Sequence, residues 1–199
     1  MIELLGWVAA ALGVGSSVPQ YLRVLRQRSS AGVSLQLWQV SAASTAAWAS
    51  HGFLTSAPQM QLPNVALSLV SLAIVVFIVR DRKQPMVLPI LVIVVLAAAL
   101  ISVELLAGAL WFGIVVMIPQ LYGQLTQTRA LIVSDDLRGV SMGFLAIFLL
   151  VQALWFGFGV AAPDWSLIVC AGAMCVIASA NLAIYLFRRR RQAKIVLAV

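Results

Sequence analysis

Residues 13–20 read GVGSSVPQ and residues 113–120 read GIVVMIPQ, so a glycine stands six positions before a Pro-Gln pair twice, 100 residues apart. A second set of anchors follows each pair. Gly32-Val33-Ser34 leads to Trp48 and Gly52, and Gly139-Val140-Ser141 leads to Trp155 and Gly159 at identical spacing. The offset between halves grows to 107 at the tryptophans, so the second half carries seven extra residues. They are expected in the loop around TRALIVSDDLRG, residues 128–139, because loops absorb insertions cheaply. An internal repeat of this kind sets the architecture before any single motif is weighed.

The 199 residues are 63% hydrophobic and 10% charged, against about 45–50% and about 25% for a soluble domain. A membrane helix needs roughly 20 mostly apolar residues, and seven such stretches are present: 2–20, 34–54, 62–80, 85–104, 106–123, 139–161 and 164–187. The expected fold is an all-α membrane protein of seven transmembrane helices, two parallel three-helix bundles joined by a linker helix. The first repeat is 1–84, the linker 85–105, the second repeat 106–187, and 188–199 a basic tail. The first stretch has no basic leader and carries Glu3, so it is expected to be a retained helix rather than a cleaved signal. The fourth, VLPILVIVVLAAALIS, is expected to face lipid and carry no chemistry.

The net charge of +7 is a matter of topology. Arg23, Arg26 and Arg28 follow the first helix; Arg80, Arg82 and Lys83 follow the third; Arg129 and Arg138 lie between the fifth and sixth; Arg188–Arg191 and Lys194 end the chain. All thirteen fall on one side, and the opposite side carries Glu3, Glu104 and Asp164. The positive-inside rule then predicts an outer N-terminus and a cytoplasmic C-terminus, with the plasma membrane as default location. The RRRRQAK tail is a topology anchor with anionic lipid as a further contact, not a nucleic-acid site. Cys170 and Cys175 have neither metal nor redox spacing and read as small core residues. No cofactor or metal is expected.

Two Pro-Gln pairs in register with the Gly-Val-Ser and tryptophan anchors resemble the PQ-loop superfamily, and the three-plus-one-plus-three order is similar to the SWEET sugar transporters and their single-repeat SemiSWEET relatives. The resemblance covers nearly the whole chain. It implies alternating access around a central cavity, with hinges at Pro19, Gln20, Pro119 and Gln120. The physics agrees: proline removes a helix hydrogen bond and frees the carbonyl four residues earlier, and the adjacent glutamine offers a polar group beside the break. A static kink is the competing reading.

Trp48 and Trp155 are expected to face each other across the cavity, each offering a flat indole and an N–H donor, with interfacial anchoring the alternative. The resemblance also implies a solute-binding asparagine near Asn64. Ser68 and Ser71 extend that helix face, and Ser44, Thr45 and His51 surround Trp48, predicting a polar stripe in the first half. In the second half only Gln152 matches it, beside Val151, Phe158, Ala171, Cys175 and Ala178. A cavity polar on one wall and apolar on the other suits a solute with a greasy side. Asn181, deeper on the seventh helix, is a candidate inner gate. His51, read as a lone histidine without a carboxylate partner, is a candidate outer gate or a structural residue.

No acid or base is predicted in the middle of any helix, and such groups mark ion pathways. An uncoupled facilitator of a small neutral solute, a sugar first, is therefore expected. Amino acids or other small metabolites are alternatives, as is a receptor or scaffold without transport. An enzyme is not expected, since one histidine and no buried acid leave no catalytic set. Two repeats in one chain suffice to close a pathway, so a monomer is adequate and a homo-oligomer stays open.

Overall fold

The computed structural model describes residues 2–26, 30, 33–134, 137 and 140–197, without the side chains of 16–21, 23–25 and 191–197. All secondary structure among the described residues is helical: α1 (Ile2–Arg26), α2 (Leu35–Leu54), α3 (Pro58–Asp81), α4 (Val87–Ala107), α5 (Ala109–Val116), α6 (Ile118–Val133), α7 (Met142–Ala161) and α8 (Trp165–Leu197). The segments α5 and α6 form one rod, so the chain has seven rods. Five of them, α3, α4, the α5–α6 rod, α7 and α8 up to Arg190, are long and apolar enough to cross a membrane. Large side chains such as Leu88, Leu91, Val94 and Val95 of α4 point outward, as a lipid-facing surface requires. The chain is an all-α membrane protein.

The repeat anchors acquire physical meanings. Ser34 and Ser141 are N-caps: in extended backbone, each accepts from the N–H three residues on, Leu37 and Phe144, at 3.2 Å. Gly52 and Gly159 pinch the α2–α3 and α7–α8 hairpins. A Cβ on Gly52 would lie 2.8 Å from the Gln61 nitrogen, and one on Gly159 would lie 2.7 Å from Leu167 Cβ. The last helix of each half is its centre: α3 packs on α1 and α2, and α8 packs on the α5–α6 rod and α7. Helix α4 packs on α2 and α5, and α1 packs on α7. Gly108, at φ 88°, is the whole link between α4 and α5; this left-handed backbone suits a residue without Cβ.

The seven extra residues are not in a loop. Helix α1 ends at Arg26, and 100 residues on the corresponding helix continues past 126 to Val133. The insertion therefore lengthens α6 by about two turns at 3.6 residues each, because its residues LTQTRALIV sustain helix. Likewise α8 continues through the arginine cluster rather than giving way to a tail.

At the end of the bundle where the basic residues gather, here the basic end, the two halves use the same device. The Arg82 guanidinium donates to the Ser30 carbonyl at 3.0 Å, and Arg188 donates to the carbonyls of Leu131 and Ser134 at 2.6 and 2.7 Å. Each arginine thus ties the central helix to the connection between the first two. The other end, where Glu3, Glu104 and Asp164 lie, is the acidic end.

Candidate functional site

A cavity of about 190 Å³ lies between the two halves, lined from α1, α2, α3, α6, α7 and α8 but not from α4. At roughly 30 Å³ per water it holds the volume of about six waters, and it falls below the ~300–1,000 Å³ of sites for drug-sized ligands. Trp48 and Trp155 both line it, together with Asn64, Gln120 and Gln152. The rest of the wall is apolar or small, Met60, Leu67, Val151 and Leu167 among it.

Its polar groups are positioned by their own helices. Pro63, inside α3, stands beside Asn64, whose amide donates to the Met60 carbonyl at 2.9 Å, leaving Oδ1 as the acceptor it can offer. Gln152 is buried and lines the cavity, and among the described residues no side-chain hydrogen bond is made by its amide. The Cys170 thiol donates to Gln120 Oε1 at 3.9 Å. The α5–α6 rod breaks at Met117, two residues before Pro119, whose missing N–H weakens the helix there. The side chains of Pro19 and Gln20 lie outside those described; the α1 backbone is helical through them.

Other sequence-predicted residues sit elsewhere. The polar stripe of the first half is spent on packing: Ser71 bonds Ser41 at 3.1 Å, Ser68 donates to the Ala42 carbonyl at 3.0 Å, and Thr45 donates to the Ser41 carbonyl at 2.7 Å. Such bonds hold helices together where water is absent. Ser44 does not line the cavity. Fully buried Asn181 accepts from Thr128 Oγ1 at 2.6 Å and donates to Gln124 Oε1 at 3.0 Å, joining α8 to α6 within the second half.

His51 is the principal correction. It is not a lone histidine: Nδ1 bonds Glu104 Oε1, and Nε2 lies 2.8 Å from Asp164 Oδ2, with all three residues buried. The fourth helix, expected to carry no chemistry, supplies Glu104. The Asp164 carboxyl also caps α8, accepting from the Ser166 N–H at 3.0 Å and the Ser166 hydroxyl at 2.6 Å. Burial works to raise the pKa of this carboxyl, which lies just before the α8 span. The bonds and charge of His51, with those of Ser166 and Leu167, outweigh burial and hold it below the ordinary carboxylate range. Neither acid stands in the middle of a helix, Glu104 being in the last turn of α4 and Asp164 before α8, yet both are buried, contrary to the expectation of no buried acid.

The His51 ring connects this cluster to the cavity. It stacks on Phe112 at 5.4 Å between centroids and meets Trp48 edge-on at 5.6 Å, while Trp48 lines the cavity. Next to it, Ala57, Met60, Phe158 and Leu167 form a buried apolar plug drawn from both halves. A further apolar cluster joins the halves through Ala47, Phe112 and Val116. Toward the basic end the cores are separate among the described residues: Trp38, Ile74, Ile78 and Val79 pack with Ile93 of α4, and Leu131, Leu145 and Tyr185 pack within the second half. The halves are thus closed on each other at the acidic end.

No curated protein matches the chain at a significant level. Residues 1–58, which hold the first Pro-Gln pair, the first Gly-Val-Ser run, Trp48 and Gly52, match the family model described as PQ loop repeat.

Proposed function

We propose that this membrane protein is a carrier that moves a small neutral solute by alternating access, a sugar being the first candidate. The observation that carries the reading is the cavity lined by Trp48 and Trp155 and by the amides of Asn64, Gln120 and Gln152, set between halves whose described residues share an apolar cluster at the acidic end. Indole faces suit the apolar face of a sugar ring, and the amides donate to and accept from hydroxyls. Among the described residues the cavity lining holds no Asp, Glu, Lys or Arg, which suits a solute without charge. Movement of the halves uses the break at Met117 before Pro119 and, in the continuous α1, the helix-weakening Pro19, with Gln20 and Gln120 beside them. The acidic end faces outward and the basic end the cytoplasm, in the plasma membrane, following the positive-inside rule.

Uptake of labelled sugars and neutral amino acids into proteoliposomes tests this reading. Wild type should take up at least one of the panel, and Asn64→Ala should raise its half-saturation concentration about 2- to 10-fold, the equivalent of one net hydrogen bond of ~0.5–1.5 kcal/mol. An unaltered value moves the site away from Asn64. No uptake of any member by folded protein overturns the carrier reading.

A further inference from the structure

At the acidic end the two halves and α4 meet on one imidazole. His51 comes from α2, Glu104 from the last turn of α4, and Asp164 from the cap of α8. A carboxylate, when ionised, only accepts, so the ring satisfies two of them when both of its nitrogens carry hydrogen, that is, as the imidazolium. A neutral ring would turn a bare lone pair toward one of them inside a fully buried site, an arrangement that burial makes costly. The other polar group on the ring among the described residues, the Ser166 hydroxyl 2.9 Å from Nε2, can reorient to either state.

Among the described residues that meet His51, Glu104 and Asp164 are the ones that titrate. Toward His51 α3 presents Gln59, α5 presents Phe112, α7 presents Phe158 and the start of α1 presents Ile2, none of which ionises. Outside the solute cavity, a second opening of about 280 Å³, bounded by His51, Asp164, Thr55, Ser56 and Gln59, lies against the cluster at the acidic end. The remaining oxygen of Glu104, Oε2, is buried with no described partner, so the cluster is one hydrogen short of full pairing even with the imidazolium in place.

We propose that His51, Glu104 and Asp164 form a proton-binding site whose occupancy shuts the acidic end. In the step, hydronium at the second opening gives its proton to the imidazole, the N–H bond forms as the O–H bond breaks, and a water molecule remains. The imidazolium then draws Glu104 and Asp164 together across the halves. When they part, the same proton returns to water. Because Trp48 touches both the ring and the solute cavity, a carrier built this way moves solute in step with proton binding. That last consequence rests on the carrier reading, but the site does not.

The test therefore uses no solute. In a Cys170→Ala, Cys175→Ala background, spin labels at Leu54→Cys and Val160→Cys, both exposed at the acidic ends of α2 and α7, report the separation of the halves. In lipid nanodiscs the separation should widen as pH rises from about 5 to about 9, past the upper end of the range in which an ordinary histidine loses its charge. His51→Gln should abolish this response, and Glu104→Gln, which keeps the His51–Asp164 bond, should displace its midpoint. A wild-type separation that ignores pH overturns the proposal, and so does a His51→Gln protein that responds as wild type does. If the labels respond while no solute crosses in the uptake assay, the carrier reading falls and the proton site stands.

Discussion

Removing the imidazole of His51 leaves Glu104 and Asp164 buried without a cation. Breaking a buried ionic group by deleting one partner costs about 3–5 kcal/mol, mostly through the uncompensated charge. His51→Ala should therefore lower the thermal unfolding temperature, followed by tryptophan fluorescence in detergent, well beyond the effect of Glu104→Gln. Adding Glu104→Gln and Asp164→Asn to His51→Ala should recover part of the loss, since no charge is then left unpaired; a triple variant as unstable as the single would assign the loss to packing. The lowered pKa of Asp164 sets the acid limit of this stabilisation: it is present above the ordinary carboxylate value and lost as pH falls through the lowered one. The cluster was illegible in the sequence because its members stand 53 and 113 residues from His51. Local pattern shows a histidine near one helix end and acids near two others, and only the packing of α4 and α8 against α2 brings them together. The places of Trp48, Trp155 and Gln152 on the cavity were legible because the repeat pairs the two halves, and that of Asn64 through the family resemblance, whereas Ser44, expected beside Trp48, and Ser68 and Ser71, expected on the face of Asn64, lie off the cavity.

Among the elements, the two hairpins offer the sharpest test of what the repeat is for. Gly52→Ala and Gly159→Ala each place a methyl under 3 Å from the facing helix, and overpacking of this kind costs about 1–3 kcal/mol. A helical Gly→Ala exchange gains at most ~1 kcal/mol in propensity, so the net effect should be loss. Gly123→Ala is the control, since nothing lies within 4 Å of its new Cβ, and it should leave unfolding unchanged or raise it. Equal effects at all three positions would remove the pinch as the reason for the shared spacing. The spacing itself could be read directly, along with the helix count. What spacing could not convey was the work of each anchor: Ser34 and Ser141 cap, whereas Gly52 and Gly159 admit a neighbouring helix. Nor could it place the insertion, because residues 124–133 sustain helix as well as they would a loop, and the extra turns of α6 are held by Thr128 and Arg188 through contacts with or from α8.

For the molecule as a whole, the distribution of apolar contact decides what motion is available. The halves share the plug of Ala57, Met60, Phe158 and Leu167 at the acidic end, while Leu131, Leu145 and Tyr185 at the basic end belong to one half alone. Rocking about the Met117 break would separate the plug and bring the basic ends together. Covalent restraint of the plug should then arrest the cycle with the solute cavity reachable from the basic side only. Ala57→Cys and Phe158→Cys, in the background without Cys170 and Cys175, can be joined by a cleavable thiol cross-linker. Solute uptake into proteoliposomes should stop on cross-linking and return on cleavage, while binding of the same solute to detergent-solubilised protein should change little, because neither position lines the cavity. Uptake that persists through complete cross-linking would mean that the acidic end does not open in the cycle, and the path of the solute would then have to be sought outside the interface between the halves.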